Sequence, residues 1–292
     1  MYRIVSSSFI APEVKRFVID APQVARHWQA GQFVILRVDD DGERIPLTVA
    51  AADPDSGQIT LFVQGIGKTT KQLNTKQAGE QLADVAGPLG KPSEIEEYGT
   101  AVVVGGGVGT AIAYPVVAAL AKAGNDVIAI VGGRSRAYVL LEDEISATGA
   151  ETIVCTDDGS YGRGGFVTDA LADVIAGRRG NVGREINTGR QVNIVFAAGP
   201  VPMMKAVAEV TRTAGIHTIA SLNPIMVDGT GMCGGCRVDV GGRTYFACVD
   251  GPEFDAHLVD FDLLARRNQS YVEFEAARLE SFNKQCKVEG SS

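Results

Sequence analysis

No stretch of this sequence reaches the roughly 18 consecutive apolar residues that a membrane-spanning helix needs. Basic residues are in deficit, with 27 Lys and Arg against 35 Asp and Glu, for a formal net charge of −8. Neither nucleic acid nor an anionic membrane surface is therefore expected as a partner. The opening "MYRIVSSSFIAPEVKRF" lacks the apolar core of a secretory signal. Cysteines number only five in 292 residues, and their clustering is not the disulfide framework of a small secreted chain. The expected compartment is a reducing cytoplasm, where clustered thiols are available to metals. No internal repeat is present. At 45% hydrophobic and 21% charged, the chain has ordinary globular composition and a length that suits two or three domains.

What is there falls into three sections. Residues 1–96 carry short runs rich in Val, Ile, Phe and Thr: "RIVSSSFI", "VKRFVID", "GQFVILRVD", "RIPLTVAAAD" and "GQITLFVQG". Turn signals such as "DDDGE" and "DPDSG" separate them, which predicts an antiparallel sandwich or barrel with one short helix at "GKTTKQLNT". Residues 97–222 change period. Buried-type strands ("TAVVVGGG", "DVIAIVGG", "ETIVCTDDG", "QVNIVFAAG", "HTIASLN") alternate with helical stretches, including one at "YVLLEDEISATG". That alternation predicts a parallel sheet covered by helices, so the fold class is β plus α/β. The polar "GRRGNVGREINTGRQ" reads as a surface insertion. Residues 223–292 hold a glycine-rich cysteine loop, a hairpin turning at Gly241-Gly242, and a helix over "FDLLARRNQSYVEFEAARLESFN" with a polar tail. So small a section gains from a bound metal.

The loop "DGTGMCGGCRVDVGGRTYFACVDG" contains Cys233, Cys236 and Cys248, with Asp228 four residues before the first. The pattern D-x4-C-x2-C-x11-C puts a carboxylate where plant-type iron–sulfur proteins carry their first cysteine. Glycines at 229, 231, 234 and 235 suit a backbone that wraps a cluster and offers it N–H groups. A 2Fe–2S cluster held by Asp228, Cys233, Cys236 and Cys248 is the leading reading. A structural zinc site with the same ligands and a set of unrelated or disulfide-bonded cysteines are the alternatives. Cys155, at the end of a strand, reads as a small buried hydrophobe, and Cys286 in the tail has no evident role.

Glycines also end the strands of the middle section. "VVVGGGVGT" runs a strand into a helix, which lets backbone N–H groups approach a pyrophosphate. It is an incomplete G-x-G-x-x-G, because Gly105 and Gly107 fit while Thr110 stands at the third position. The second strand ends in "IVGGRS" and lacks the ribose-binding acid of a standard dinucleotide fold. A later strand ends in "FAAGPVPMM". Each loop alone can be a tight turn and no more. Together they lie at strand C-termini, where α/β folds bind ligands. In the β section, Arg44 with Thr48, and Gly65, Gly67, Lys68, Thr69 and Thr70, offer donors that can meet a diphosphate, or else form a solvated strand and a capped helix.

The order of these pieces ("RIPLT", "GPLG", "VGGGVG", "GGRS", "AAGPVPM") resembles the ferredoxin–NADP reductase superfamily. With the cysteine loop added, the chain is similar to the small subunits of NADH-dependent reduced ferredoxin:NADP oxidoreductases (also called sulfide dehydrogenase subunit beta) and to the electron-transfer subunits of dihydroorotate dehydrogenase. The resemblance implies FAD in the barrel, NAD(H) in the α/β section and a 2Fe–2S cluster in the C-terminal section. It places Arg44, Pro46, Leu47 and Thr48, with Gly65, Gly67, Lys68, Thr69 and Thr70, at the flavin. It places Gly105, Gly106, Gly107, Val108, Gly109, Gly133, Arg134, Gly199, Pro200, Val201 and Pro202 at the nucleotide. Asp228, where the dihydroorotate branch has cysteine, favours the other branch. Ala198 stands where many reductases of the superfamily have cysteine, so no thiol is expected at the nicotinamide. The implied function is electron transfer among NAD(H), FAD, the cluster and a larger flavin and iron–sulfur partner subunit, with ferredoxin reached through the complex and electron bifurcation as its setting. No general base is expected. A zinc-stabilised nucleotide-binding regulator is the alternative from another class. Arg134 and Arg136 leave the choice between NAD and NADP open.

Overall fold

The computed structural model describes residues 1–177 and 191–289, and the side chains of these up to Lys284. The expected insertion at 177–191 therefore falls almost wholly outside the described residues, as does the Cys286 side chain. In the first section the chain forms β1 (Tyr2–Ala11), β2 (Val14–Asp20), α1 (Pro22–His27), β3 (Phe33–Arg37), β4 (Arg44–Thr48), β5 (Ala51–Asp53), β6 (Gln58–Gln64), α2 (Lys68–Thr75), β7 (Gln81–Leu82) and β8 (Asp84–Leu89). Two antiparallel sheets, ordered β5-β6-β2-β1-β7 and β4-β3-β8, enclose one core of Phe17, Ile19, Val34, Leu36, Leu61 and Leu73 among others. "RIPLTVAAAD" is not one strand. Buried Val49 and Ala50 carry the chain from β4 in one sheet to β5 in the other. That switch is how a β section closes round its core.

Within β2, Lys15 is 2% exposed. Its ammonium lies 5.3 Å from the ring centroids of both Phe9 and Phe17 and donates to the carbonyls of Asn74 (3.1 Å) and Lys76 (2.6 Å). Burial lowers its pKa, with the Glu80 carboxylate opposing. A cation at the C-terminal carbonyls of α2 complements the helix dipole and satisfies acceptors the helix leaves open.

The middle section supplies β9 (Thr100–Gly106), α3 (Gly109–Lys122), β10 (Asp126–Gly133), α4 (Glu142–Ser146), β11 (Glu151–Thr156), β12 (Arg163–Gly164), α5 (Val167–Ile175), β13 (Val192–Ala198), α6 (Val201–Ala214) and β14 (His217–Ser221). The sheet order β12-β11-β10-β9-β13-β14 is parallel throughout. Strand residues alternate between the two faces, as the two-residue period requires. Val102, Val104, Ile128 and Ile130 face one core with α5 and α6, while Val103, Val127, Ala129 and Val131 face the other with α3. The helix expected over "YVLLEDEISATG" is shorter, a 3-10 turn at 136–138 followed by α4. Among the described residues no helix is long and apolar enough to cross a membrane.

The last section forms β15 (Arg237–Val240), β16 (Arg243–Phe246), α7 (Ala247–Asp250), β17 (Glu253–Asp255), α8 (Phe261–Asn268) and α9 (Val272–Glu289). The single expected helix is two, α8 and α9, parted at residues 269–271. Asp260 caps α8 by accepting the Leu263 amide at 2.8 Å. This section does not stand apart. β17 pairs antiparallel with β14 and so adds a seventh strand to the sheet, which is parallel up to that edge. Cys236, Val238, Val240, Cys248, Phe261 and Leu264 share one hydrophobic core with the α5/α6 face of the sheet and with Phe33 and Ile35 of β3.

Glu253, on β17, is held at this seam. The Ser93 hydroxyl donates to its Oε1 at 2.7 Å. Although the residue retains some exposure, protein atoms surround its carboxyl. Burial pushes its pKa up to about 7, the Ser93 hydrogen bond working against this and the Glu94 charge with it. The folded state thus binds the proton more tightly than the unfolded chain, so this group's contribution to stability falls as pH rises from the ordinary glutamate range through about 7. The predicted outcome is a melting temperature that drops between about pH 5 and pH 8, with the Glu253 share of that drop removed in Glu253→Gln. Thermal denaturation of both proteins across that range is the check.

Candidate functional site

Three glycine loops expected at the nucleotide converge at the carboxyl ends of the adjacent strands β10, β9 and β13. The switch in strand order lies between β9 and β13, the place where open α/β sheets bind ligands. The contacts explain why these positions are glycine. A Cβ on Gly109 would come within 2.5 Å of Gly199 Cα, and one on Gly106 would meet the Met203 sulfur. Gly107 has a φ of +56° and its amide donates to Gly132 at 2.8 Å. Thr110, in place of the third motif glycine, is fully buried. Its hydroxyl finds no hydrogen-bond partner among the described residues, and an orphan donor at this loop fits a nucleotide site. Gly133 packs against the Tyr138 carbonyl, Arg134 is exposed, and Pro200 caps α6, which begins at Val201-Pro202.

The outer wall of this region gathers Arg136 with residues that no sequence motif singles out: Tyr161, Glu142, Asp157 and Asp158. The Arg136 guanidinium stacks 4.9 Å from the Tyr161 ring, and the Tyr161 hydroxyl donates to Glu142 Oε1 at 3.2 Å. The amides of Asp157 and Asp158 donate to the carbonyls of Gly133 and Arg134, tying the "TDDG" turn to the "GGRS" turn. The signal was the turn following a third strand of the same sheet.

On the barrel, Arg44, Pro46, Leu47 and Thr48 form β4, which pairs with β3 in register (Arg37 with Arg44, Phe33 with Thr48). Arg44 is exposed at the start of the strand. Gly65 and Gly67 lead into α2, whose first residues are Lys68, Thr69 and Thr70. The first-turn amides of a helix have no partner within the helix and suit an anion. The threonine hydroxyls are engaged inside the protein: Thr70 Oγ1 accepts the amides of Ile66 (3.1 Å) and Gly67 (3.0 Å), and Thr69 donates to Glu43. The structure thus presents the backbone of this segment, with Thr70 bracing the loop.

In the cysteine loop, Cys236 and Cys248 are buried with their sulfurs 3.1 Å apart, and Cys233 is exposed. Burial, with the Cys236 hydrogen bond adding to it, pushes the Cys248 thiol up to about 12, whereas a coordinating thiol is deprotonated by the metal's charge. The amides of Gly235 and Cys248 donate to the sulfurs of Cys233 and Cys236 at 3.4 and 3.5 Å. Two sulfurs together with amides aimed at sulfur fit an iron–sulfur centre. Asp228 is placed differently from a free ligand. Its carboxylate accepts the amides of Thr230 (2.9 Å) and Cys233 (2.7 Å), and the Thr230 bond leads the causes that hold its pKa below the usual value. Among the described residues no group of three or more His, Cys, Asp or Glu is gathered as a set of metal ligands. The expected four are therefore one assembled pair, with Cys233 and Asp228 in the adjoining loop. All four described cysteines, Cys155 included, are free, and burial raises the Cys155 thiol to about 11.

The cysteine loop lies against the barrel. A Cβ on Gly229 (φ +75°) would come within 2.8 Å of both Leu89 of β8 and Ile35 of β3. The strand carrying Ile35 is the one paired with β4. The proposed flavin strand and the cysteine loop are thus separated by a single strand.

Two family models match these regions. One, described as an oxidoreductase FAD-binding domain, matches residues 2–93. The other, the iron–sulfur cluster binding domain of dihydroorotate dehydrogenase B, matches residues 223–260. A dihydroorotate dehydrogenase B (NAD(+)) electron transfer subunit homolog from Thermotoga maritima is 45% identical over 96% of this chain and 95% of that protein. The dihydroorotate dehydrogenase B (NAD(+)) electron transfer subunit of Geobacillus thermodenitrificans is 34% identical over 87% of this chain and 95% of that protein. A chain from a solved structure of an NADH-dependent reduced ferredoxin-NADP oxidoreductase is 44% identical, with a TM-score of 0.87 over 97% of this chain and 98% of that one. The cytochrome P450 reductase GcoB of Amycolatopsis, 24% identical at a TM-score of 0.57, shares the fold. Barrel, nucleotide-type sheet and cysteine loop, in this order and over nearly the whole length, place the chain in the family of dihydroorotate dehydrogenase B electron transfer subunits and their homologs, oxidoreductases with FAD-binding and iron–sulfur domains on a ferredoxin reductase fold.

Proposed function

We propose that this electron-transfer subunit exchanges a hydride with NAD(H) at the glycine loops and passes single electrons through a 2Fe–2S centre to a larger flavoprotein partner. The observation that carries this reading is the contact of Gly229 with Ile35 and Leu89, which sets the cysteine loop one strand from β4. Bound FAD supplies the conversion between paired and single electrons. The division of labour follows the boundaries 1–96, 97–222 and 223–292. Arg44 neutralises phosphate charge or meets the polar edge of the flavin ring, the α2 amides after Gly67 receive the diphosphate, and Pro46, Leu47 and Thr48 present strand backbone. Gly105–Gly109, Gly133-Arg134 and Gly199–Pro202 receive the dinucleotide. Cys233, Cys236, Cys248 and Asp228 hold the cluster, Asp228 giving up its amide bonds to do so.

The partner follows from the surface round Cys233. Met232 is 90% exposed, and Val227 and Val249 are also exposed, an apolar rim suited to docking beside a redox centre. The complex is read as a ferredoxin-linked NAD/NADP oxidoreductase, because the nearly full-length similarity to that solved chain supports it. The match of the cysteine section to the dihydroorotate dehydrogenase model favours the second reading, an electron subunit for dihydroorotate oxidation.

Three outcomes are predicted. Arg44→Ala weakens FAD binding about 10- to 100-fold, the scale of one hydrogen bond to a charged group, and leaves iron content unchanged; flavin titration and iron analysis check both. Asp228→Ala loses iron and visible cluster absorbance, whereas Asp228→Cys retains the cluster with an altered EPR spectrum. A fully loaded Asp228→Ala with the wild-type spectrum would sink the ligand assignment. The separated chain reduces artificial dyes with NADH but does not couple NAD(H) to ferredoxin or NADP, which returns when the larger subunit is restored. Activity of the chain alone equal to that of the native complex would refute the partner.

A further inference from the structure

Electron transfer of this kind leaves one proton to be placed. NADH becomes NAD⁺ by giving up two electrons and one proton, and acceptors that take only single electrons leave that proton behind. Carboxyl groups handle such a proton well when the acid and its carboxylate are both populated at working pH. The nucleotide loops contain no such group, and Ala198 has no side chain to offer.

Glu253 stands beside the strand end that leads into one of these loops. It is the first residue of β17, registered opposite Ser221 at the carboxyl end of β14. It lines the same small cavity as Ala198, Ser221 and Ile112, and Ala198 immediately precedes the Gly199-Pro200 turn. Its other side faces the barrel, where Oε1 accepts the Ser93 hydroxyl and lies 3.3 Å from where a Cβ on Gly31 would stand. The carboxyl therefore touches the barrel from inside the nucleotide sheet. We propose that Glu253 takes up the proton released when NADH is oxidised at this seam and returns it when the flow reverses. In the forward direction the C–H bond of the dihydronicotinamide breaks with hydride transfer. Once the one-electron acceptors have taken both electrons, the transferred hydrogen is left as a proton, and its bond to the carrier breaks as the O–H bond forms on the Glu253 carboxylate. The acid then loses its proton to solvent. The reading rests on NADH oxidation at the barrel–sheet junction.

The surroundings suit this role. The pKa of about 7 keeps both forms populated near neutrality. Ser93 stabilises the carboxylate, and Glu94 on the connector stabilises the acid. The Tyr98 hydroxyl donates to the Glu94 carbonyl, and Ser221 faces Glu253 across the strand pair. Asp255, two residues along β17, has His217 Nδ1 at 4.0 Å. From α3 the cavity receives only the apolar Ile112, Ala113 and Val116. A latch joining two sections would need the same Ser93 bond, so the test separates proton exchange from structure.

The experiment uses the flavin- and cluster-loaded protein with NADH and ferricyanide as the one-electron acceptor, comparing wild type, Glu253→Gln and Ser93→Ala. Reduced-minus-oxidised infrared spectra across pH report carboxylic acid C=O absorption independently of turnover. The expected result is a C=O band that titrates near pH 7 in wild type and is absent in Glu253→Gln. In Ser93→Ala it moves to higher pH, because the bond favouring the carboxylate is gone. Proton release, followed with an indicator dye, slows about 100-fold at neutral pH in Glu253→Gln, at unchanged flavin content. A Glu253→Gln protein with the wild-type band and pH profile overturns the assignment of Glu253 alone. A loaded wild type that fails to oxidise NADH overturns it together with the reading on which it rests.

Discussion

One packing constraint organises the molecule: the C-terminal section has to be pressed into the crevice between barrel and sheet. Gly229 can lie on Ile35 and Leu89 only because it has no side chain. Near it, the Lys91 amide donates to the Gly251 carbonyl at 2.6 Å, and the Leu222 amide to the Pro252 carbonyl at 2.9 Å. Buried cysteines, barrel residues and sheet residues then form one continuous core. Electron transfer demands short distances between centres, and here closeness is obtained by sharing a core rather than by docking finished domains. The cost is that no section can be reshaped without disturbing the others.

The barrel shows how a helix is aimed. α2 has Lys15 at its C-terminal carbonyls and the Gly65–Gly67 turn at its start. Charge at one end fixes the axis, and Thr70 braces the turn at the other. The first-turn amides are thereby presented in a set direction before any anion arrives. A similar economy governs the three glycine loops of the sheet, where Gly109 lies against Gly199 and the Gly107 amide meets the Gly132 carbonyl.

Local patterning made most of this legible in the sequence. The continuous apolar runs in "VVV" and "VIAIV", alternating with helical stretches, and the glycine endings located the parallel sheet and the turns at its carboxyl edge, and the D-x4-C-x2-C spacing located the iron–sulfur section. What escaped depends on residues distant in sequence. Nothing in "GPEFD" announces a strand, since Glu253–Asp255 acquires its conformation by pairing with β14. Nothing in "VKRFVID" shows that Lys15 is buried, since the carbonyls receiving it lie about sixty residues on. The helix over 261–283 was continuous by composition but is broken at 269–271, where the chain leaves the shared core. Asp228 was legible as a position in a motif. Its present bonds to Thr230 and Cys233 belong to loop geometry, which spacing does not encode.

The pairing of β17 with β14 has a consequence for biosynthesis. Until residues 253–255 have left the ribosome, β14 is an open edge with unpaired N–H and C=O groups, a template for pairing with other chains. The strand that closes it follows only five residues after Cys248, the last expected cluster ligand. Sheet closure and completion of the thiol set are thus simultaneous events in the life of a nascent chain. A chain cut short just after β14 would carry both an exposed sheet edge and an incomplete set of cysteines.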